Sequence, residues 1–198
     1  MVLLVYVDDI VIASNHSPSV IALKHFLNLY FKLKDLGPFK YFLGLEVAQS
    51  TKGISLFQRK YALDIVSNSG LLATKPAGSP MDQNLRLSKT DSGGPLLDNP
   101  ASYRRLIGRL LYLTLTRPDL SFSVATLSQF MDKPCQSHYD AAVQVVRYIK
   151  ATAGQSLFFP SNSSLQLKGF CDSNWATCLD SKRSVNGFCI FLGDSLIS

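Results

Sequence analysis

Two adjacent carboxylates, Asp8 and Asp9, stand between two short apolar runs near the start of the sequence. Like charges at this spacing repel each other, and the flanking residues offer no nearby Lys or Arg to neutralise them. A divalent cation such as Mg²⁺ would remove that cost, because it takes carboxylate oxygens as ligands and bridges substrate phosphates. The pair is therefore a candidate metal site for chemistry at phosphorus. The alternative is a solvated turn, which is the more common role of an Asp-Asp pair.

The residues around this pair predict a hairpin followed by a helix. Residues 2–13 are rich in Val, Ile and Leu and are interrupted in the middle by the two acids. This pattern predicts two short buried strands with the carboxylates at the turn. Ser17 and Pro18 then predict the N-cap and first turn of an amphipathic helix, which Gly37 and Pro38 end.

The next segments predict a second hairpin, a short helix and a linker. Residues 39–48 and 54–58 flank a run of turn-forming residues and so predict a hairpin. A short helix that ends near Gly70 follows. The segment 75–100 is rich in Pro, Gly, Ser, Asp and Asn, which predicts a linker and a subdomain boundary.

The second half of the chain predicts helices and then strands, which makes the fold class α+β. Residues 101–155 carry three helical stripes, the last of which begins at a capping-box pattern of Ser137 and Asp140. After Gly154 the pattern predicts the strands of a partial mixed sheet, at residues 156–159, 165–172, 185–192 and 195–198.

Composition bounds the partners and the compartment. A hydrophobic share of 46% with 17% charged residues is typical of a folded globular protein. A net charge of +6 favours a polyanionic partner such as nucleic acid, but it is also common in ordinary soluble proteins. The four cysteines form no CxxC pair, so we expect free thiols in a reducing compartment, the cytoplasm or the nucleus. The apolar start predicts neither a signal peptide nor a transmembrane helix, so we expect no membrane partner.

The string Tyr6-Val7-Asp8-Asp9 resembles the YVDD catalytic motif of reverse transcriptases in its usual hairpin. Further segments resemble the copia-type LTR-retrotransposon Pol polyprotein family, in that family's order: LKDLGPFKYFLGLEV from Leu33, QRKY from Gln58, YRRLIGRLLYLTLTRPDLSF from Tyr103, LSQFMDKP from Leu127 and GFCDSNWATCLDSKRS from Gly169. The resemblance spans almost the whole chain, and ordered segments are far more specific than the YVDD string alone.

The resemblance implies an RNA-directed DNA polymerase whose palm binds Mg²⁺ through Asp8 and Asp9. Consecutive strand residues point to opposite faces, so we expect Asp8 to be the principal ligand and Asp9 to support it. The resemblance also implies that Tyr6, Val7 and Gly44 lie against nucleic acid, since the FLGLEV hairpin corresponds to the place where related enzymes hold the primer end. A template and primer of RNA or DNA is the implied partner, and the oligomeric state stays open.

Three arginines and one further acid complete the predicted site residues. Arg104, Arg105 and Arg109 fall on the helix face away from the apolar stripe. They form a basic stripe that could follow a phosphate backbone or could be an ordinary solvated face. Asp172, at the end of an alternating strand, resembles the first catalytic and metal-binding Asp of a ribonuclease H domain.

The resemblance divides the chain into four segments: 1–74 as the end of the palm and the start of the thumb, 75–100 as a linker, 101–155 as a helical connection and 156–198 as the first strands of a ribonuclease H-like domain. Family palms use three carboxylates, the first upstream of YVDD. We therefore expect both active sites to be incomplete and the polypeptide alone to be inactive. The alternatives are a non-catalytic nucleic-acid-binding module and a decayed transposon fragment. The sequence suggests no role for three residues of a family-like stretch, Asp180, Lys182 and Arg183.

Overall fold

The computed structural model describes residues 1–83, 85–89, 94–176, 178 and 180–198. The described chain contains both helices and antiparallel strands, which agrees with the predicted α+β class. It divides into two compact units, Met1–Gly44 and Leu45–Ser198. The predicted linker lies inside the second unit. Some residues of that linker and of one family-like segment lie outside the described residues: 84, 90–93, 177 and 179.

The first unit is a hairpin followed by a helix and a short strand. Its elements are β1 (Val2–Tyr6), β2 (Asp9–Ala13), α1 (Ser17–Tyr30) and β3 (Tyr41–Phe42). β1 and β2 pair antiparallel, with Val2 opposite Ala13 and Tyr6 opposite Asp9. The hairpin that the sequence predicts around the two acids is therefore present.

The strands of this hairpin are mostly exposed, whereas the sequence predicts buried strands. Every residue of β1 is exposed, and α1 contributes no fully buried residue. The reason is the size of the sheet, because two strands bury an apolar face only where another layer packs on it. The start of α1 also differs from the prediction, since its N-cap is His16 rather than Ser17.

In its described residues, the second unit combines helices with two antiparallel sheets. Its helices are α2 (Arg59–Asn68), α3 (Pro100–Leu113), α4 (Ser121–Ser128) and α5 (Gln136–Thr152), with a 3₁₀ turn at Pro118–Leu120. Its strands are β4 (Leu45–Ser50), β5 (Gly53–Phe57), β6 (Leu157–Pro160), β7 (Leu167–Asn174), β8 (Val185–Leu192) and β9 (Ser195–Leu196). The helical stripes and the later strand runs are thus confirmed as elements.

The helices of the second unit pack around one apolar core. Ile65 of α2, Ile107 of α3 and Val145 of α5 are fully buried in it. They belong to the apolar faces that recur at helical spacing in the sequence, so burial of these faces stabilises the bundle. Tyr103 is buried as well, and its hydroxyl donates a hydrogen bond to the Leu127 carbonyl at 2.8 Å.

β6 pairs with the second hairpin rather than with the last strands. β4, β5 and β6 are antiparallel neighbours, and Gly53 lies opposite Pro160. Gly53 has a φ of +150°, and a Cβ there would overlap the carbonyl oxygen of Phe159, so this close approach requires glycine. β7, β8 and β9 are also antiparallel, which corrects the prediction of a mixed sheet. Parallel pairing would need a helical crossover, and the described residues between these three strands form none.

Part of the predicted linker packs on the helices, within a segment named here the strap, which is the described residues of 71–97. Four of its apolar side chains pack against the core: Leu71, Met81, Leu87 and Leu97. Arg147 of α5 donates from Nε to the Lys75 carbonyl at 2.7 Å, and Lys150 donates to the Thr74 carbonyl at 2.7 Å. Pro and Gly predict irregular backbone, not exposure to solvent, and this explains the difference.

α5 begins with a capping box other than the predicted one. Its N-cap is Cys135, whose backbone N–H donates to Nδ1 of His138 at 3.0 Å. The predicted pair lies inside the helix, where Asp140 accepts a hydrogen bond from Gln136 at 2.8 Å and Ser137 is not the cap. The buried imidazole requires a hydrogen-bond partner, and the Cys135 N–H supplies one. This bond explains why the helix begins before Ser137, where the sequence predicts its start.

Two further findings concern the membrane and the thiols. Within the described ranges, no helix is both long and apolar enough to cross a bilayer. All four cysteines are unpaired, as the sequence predicts. Cys135 is buried in the helical core, whereas Cys171 and Cys189 are exposed.

Candidate metal-binding turn and nucleic-acid interface

The turn between β1 and β2 consists of Val7 and Asp8. Val7 has a φ of 48°, whereas Asp8 has no positive φ, and a type II′ hairpin turn shows this order of signs. A β-branched residue rarely adopts positive φ, and such a conformation costs on the order of 1–3 kcal/mol. The chain therefore holds a strained residue directly beside the two acids.

Both acids of this turn are exposed. None of the ion pairs in the described part of the chain includes Asp8 or Asp9. The hairpin therefore presents both carboxylates to solvent. Adjacent carboxylates without a neutralising partner fit a hard divalent cation such as Mg²⁺ in ligand type and charge. No group of three or more His, Cys, Asp or Glu among the described residues could hold a metal, so this pair would fill only part of a coordination sphere.

The other predicted contact residues of the first unit are exposed or lie in turns. Tyr6 and Val7 are 55% and 79% exposed, so both side chains are open to a ligand beside the acids. Leu43 and Gly44 form a second tight turn, with φ values of 49° and 80°. Positive φ favours glycine, so Gly44 also has a backbone reason to be glycine.

Two residues of the family-like segments have structural roles that sequence analysis missed. Glu46 of β4 accepts a hydrogen bond from the Lys60 N–H at 2.9 Å, which places a carboxylate at the favourable N-terminal turn of α2. Gln58, the N-cap of α2, is 2% exposed and accepts a hydrogen bond from the Thr116 hydroxyl at 2.9 Å. In each case the two bonded residues are distant in sequence, Glu46 from Lys60 and Gln58 from Thr116. No local sequence pattern therefore indicates these bonds.

Of the three arginines of α3, one binds backbone carbonyls within the protein, and the other two have guanidinium groups that could bind a ligand. Arg104 donates from its guanidinium to two backbone carbonyls of the loop after α4, at 2.7 and 3.0 Å. Arg105 is exposed. Arg109 is partly buried, and its guanidinium lies 5.6 Å from the centroid of the Tyr61 ring. The predicted basic stripe therefore reduces to Arg105 and Arg109.

Arg117, to which sequence analysis assigned no role, is a buried anchor. Its side chain is 3% exposed and donates to both carboxylate oxygens of Asp119. It also donates to the carbonyl and the hydroxyl of Thr152, at 2.9 and 2.8 Å, and lies over the Tyr148 ring. The sequence could have indicated this role through its Arg-Pro-Asp spacing. A carboxylate two residues after the arginine can accept a bidentate pair of hydrogen bonds from it.

Asp172 is exposed within β7, which continues to Asn174 instead of ending at the acid. It pairs with Gly187 of β8, and its carboxylate accepts a hydrogen bond from the Ser173 N–H at 2.9 Å. The carboxylate is therefore accessible from solvent. Its role as a metal ligand stays a prediction.

Asp180 ties the loop after β7 to the strap. Its carboxylate accepts hydrogen bonds from the Ser88 hydroxyl at 2.5 Å and from the Lys89 N–H at 3.0 Å. These bonds, the Ser88 bond first, hold the pKa of Asp180 below its usual value. Lys182 adopts a φ of 54°, and the Arg183 carbonyl accepts a backbone hydrogen bond within the loop. The stretch without a predicted role is thus part of a structural contact.

Comparison with known proteins connects these features to one family. Residues 1–83 match the model of a family described as reverse transcriptase (RNA-dependent DNA polymerase). The whole chain is 40% identical to an uncharacterized mitochondrial protein of Arabidopsis thaliana, of which it covers 81%.

Two retrotransposon polyproteins are also similar to the chain. It is 38% identical over 199 residues to the retrovirus-related Pol polyprotein from transposon RE2 of Arabidopsis thaliana. It is 30% identical over 207 residues to the corresponding polyprotein from transposon TNT 1-94 of Nicotiana tabacum. These matches include 99% and 100% of the chain but only 13% and 15% of the polyproteins. No solved structure matches the chain closely enough to count as a relative.

Proposed function

The chain belongs to the reverse-transcriptase region of copia-type retrotransposon Pol polyproteins, and we propose that its first unit supplies the metal-binding turn of that polymerase. RNA-directed DNA synthesis would be the activity of the whole polyprotein, with an RNA or DNA template and primer as its partner. The observation that carries the proposal is the exposed pair of Asp8 and Asp9, which has no cationic partner in the described chain.

Asp8 and Asp9 would hold Mg²⁺, with Asp8 as the principal ligand. Bound there, Mg²⁺ would neutralise charge that develops on the substrate phosphates. The strained residue Val7 directly precedes the two acids, at the first position of the two-residue turn. The exposed ring of Tyr6, opposite Asp9 in the hairpin, offers a face on which a base or sugar can pack.

A paramagnetic metal tests this role. Mn²⁺ prefers the same oxygen ligands as Mg²⁺, so its addition to isotope-labelled chain should first broaden the amide resonances of residues 6–10. Asp8→Asn should abolish this selective broadening. Asp64→Asn is the matched control, because it removes one exposed acid of α2, and it should leave the broadening unchanged. Broadening that is equal at all surface acids, or that survives Asp8→Asn, would contradict the proposal.

We also propose that Asp172 serves as a ligand in a separate, ribonuclease H-like site. Its exposure on β7, beside a strand partner that is glycine, supports this role because the carboxylate is sterically accessible. The same Mn²⁺ experiment tests it, since broadening of residues 171–174 is observed independently of broadening at the first hairpin. Asp172→Asn should remove the broadening at residues 171–174 and preserve the broadening at residues 6–10.

A second candidate function is a non-catalytic one, in which the chain is a retained or decayed piece of a retrotransposon. The observation that favours it is the 81% coverage of the mitochondrial protein, at 40% identity. In this case the acids of the turn need not bind metal. A folded chain without selective Mn²⁺ broadening at residues 6–10 would support this candidate over the first.

A further inference from the structure

β7 (Leu167–Asn174) lies at the edge of its sheet. The strand order is β7-β8-β9, so β8 is the one strand that pairs with β7 in the part of the chain that the structure describes. β9, at the opposite edge, has only two residues, whereas β7 has eight. Every residue of β7 except Lys168 is exposed. The side of β7 away from β8, named here the free edge, can therefore accept a further strand.

Hydrogen bonds of the adjacent residues show which backbone groups of β7 face the free edge. The Gly193 N–H donates to the Gln166 carbonyl at 2.7 Å, so the ladder of β7 and β8 begins with a hydrogen-bonded pair. Ile190, opposite Gly169, instead bonds through its own N–H and carbonyl to residues 197–198, at 2.8 and 2.9 Å. Bonded and non-bonded pairs alternate along an antiparallel ladder. The backbone groups that face the free edge are therefore those of Leu167, Gly169, Cys171 and Ser173.

Two opposite charges lie on one face of β7, on either side of Phe170. Lys168, Phe170 and Asp172 share this face because side chains alternate along a strand. The Asp172 carboxylate accepts the Ser173 N–H at 2.9 Å, which holds it beside the free edge. The Lys168 ammonium lies 3.6 Å from the exposed Asp194 carboxylate, beyond hydrogen-bond distance. Lys168 therefore retains N–H donors for a second carboxylate.

We propose that two copies of this chain dimerise by antiparallel pairing of their β7 free edges, about a twofold axis at Phe170. In this register, Lys168 of each copy lies opposite Asp172 of the other copy. Gly169 of each copy lies opposite Cys171 of the other, and these residues exchange backbone hydrogen bonds. The two Phe170 rings meet at the axis. The same surface serves both copies, as a twofold interface requires.

Charge complementarity selects this register. A shift of two residues places Lys168 opposite Phe170 in one direction and opposite Asn174 in the other, which leaves the charges unpaired. In the proposed register, Lys168 and Asp172 form non-hydrogen-bonded pairs, whose Cα atoms are closest, at about 4.5 Å. Opposite charges at such positions stabilise a sheet, and like charges destabilise it. Gly169 leaves room for the Cys171 side chain of the second copy, because a Cβ there would meet nothing within 4 Å.

Sedimentation equilibrium in the presence of EDTA tests the dimer, since a metal at Asp172 would compete with Lys168 for the carboxylate. The unvaried chain should approach twice the monomer mass as its concentration rises. Lys168→Asp and Asp172→Lys should each weaken dimerisation about tenfold, because each places like charges opposite each other at both sites. An equimolar mixture of the two variants should form heterodimers, because every cross-strand charge pair is then of opposite sign.

The mixture also serves as the folding control, since only folded variants can recover the dimer. Asp194→Asn removes the carboxylate nearest to Lys168 within the same chain and should not weaken dimerisation. A chain that stays monomeric at every concentration would overturn the inference and leave the edge to a strand of another protein. Dimerisation that survives both charge reversals, or a mixture that stays monomeric, would also overturn it.

A cysteine at the axis tests the register. Phe170→Cys, combined with Cys171→Ser and Cys189→Ser, should form a disulfide-linked dimer on mild oxidation, because a Cα separation of about 4.5 Å suits a disulfide. In the unvaried chain, the two Cys171 residues lie diagonally, about 7–8 Å apart, and should not join. Mass spectrometry of the linked peptides identifies the bond, and a link between the two Cys171 residues would overturn the register. The inference does not depend on the proposed function, so none of these outcomes alters the Mn²⁺ result at residues 6–10.

Discussion

Arg117 faces Asp119 across the start of the 3₁₀ turn, and its guanidinium donates to both carboxylate oxygens at 2.9 and 2.7 Å. The remaining N–H groups reach the carbonyl and hydroxyl of Thr152 at the end of α5. The Arg117 side chain is 3% exposed, whereas that of Asp119 is 34% exposed. A buried cation is therefore neutralised by a carboxylate that retains some contact with water, and it connects two helical segments.

Replacement of Arg117 by Met should destabilise the second unit. The variant removes the Arg117 donors from both Asp119 carboxylate oxygens and from Thr152, whose carbonyl keeps only the Gln155 N–H. We expect the free energy of unfolding to fall by about 3 kcal/mol. Urea denaturation followed by circular dichroism measures this change. Arg105→Met is the control, because an exposed substitution on α3 should change stability by less than about 0.5 kcal/mol. Equal urea midpoints for the two variants would contradict the role of Arg117.

Gly53→Ala should disrupt the pairing of β5 with β6. A Cβ at this position overlaps the Phe159 carbonyl, and φ is +150°, so the strands must separate. We expect a loss of more than about 1 kcal/mol and reduced hydrogen-exchange protection at residues 157–159. Gly169→Ala is the matched control in β7, where a Cβ meets nothing within 4 Å. Unchanged exchange in Gly53→Ala would show that the sheet tolerates the side chain.

The stability of the second unit should decrease in mild acid because of His138. Burial lowers the pKa of His138 from 6.5, against smaller opposing effects of the Ser88 backbone and the Asp180 charge. The neutral imidazole also accepts the Cys135 N–H at the start of α5. A lowered folded-state pKa means that this stabilisation is complete above about pH 6.5 and is lost as pH falls through the folded value.

Urea midpoints measured between about pH 7.5 and about pH 5 test this dependence. His138→Gln should be less stable at the upper pH and should show a smaller change across the range. His25→Gln replaces an exposed histidine of α1 and should leave the change intact. Asp180 titrates in a lower window, since its pKa is lowered from 3.8. If the pH dependence persists in His138→Gln, then groups other than His138 cause it.

The hairpin around Asp8 and Asp9 could be predicted because an apolar run broken by two acids fits a strand, a turn and a second strand. The exposure of β1 could not be predicted, since burial depends on the layer that packs against a strand. The bond between Ser88 and Asp180 joins positions 92 residues apart. Local patterns contain no information on such a contact.

The arginines of α3 also show that local patterns do not reveal tertiary contacts. Helical spacing placed Arg104, Arg105 and Arg109 correctly away from the apolar stripe. It could not show that loop carbonyls engage Arg104 or that a ring from α2 lies beneath Arg109. Both facts depend on the packing of neighbouring segments, which the periodicity of one helix does not encode.

The 198-residue polypeptide should not extend a primer by itself, even in saturating Mg²⁺ with a primed template. In-line displacement at phosphorus uses metals held about 3.5–4 Å apart, and the described turn offers Asp8 and Asp9 as its carboxylates. These two carboxylates supply too few protein ligands to hold two metals at that separation. Incorporation of labelled nucleotide measures the activity, with Asp8→Asn as the comparison. Extension that Asp8→Asn abolishes would overturn this expectation. It would mean that a further carboxylate, from a second copy or from another part of the chain, completes the site.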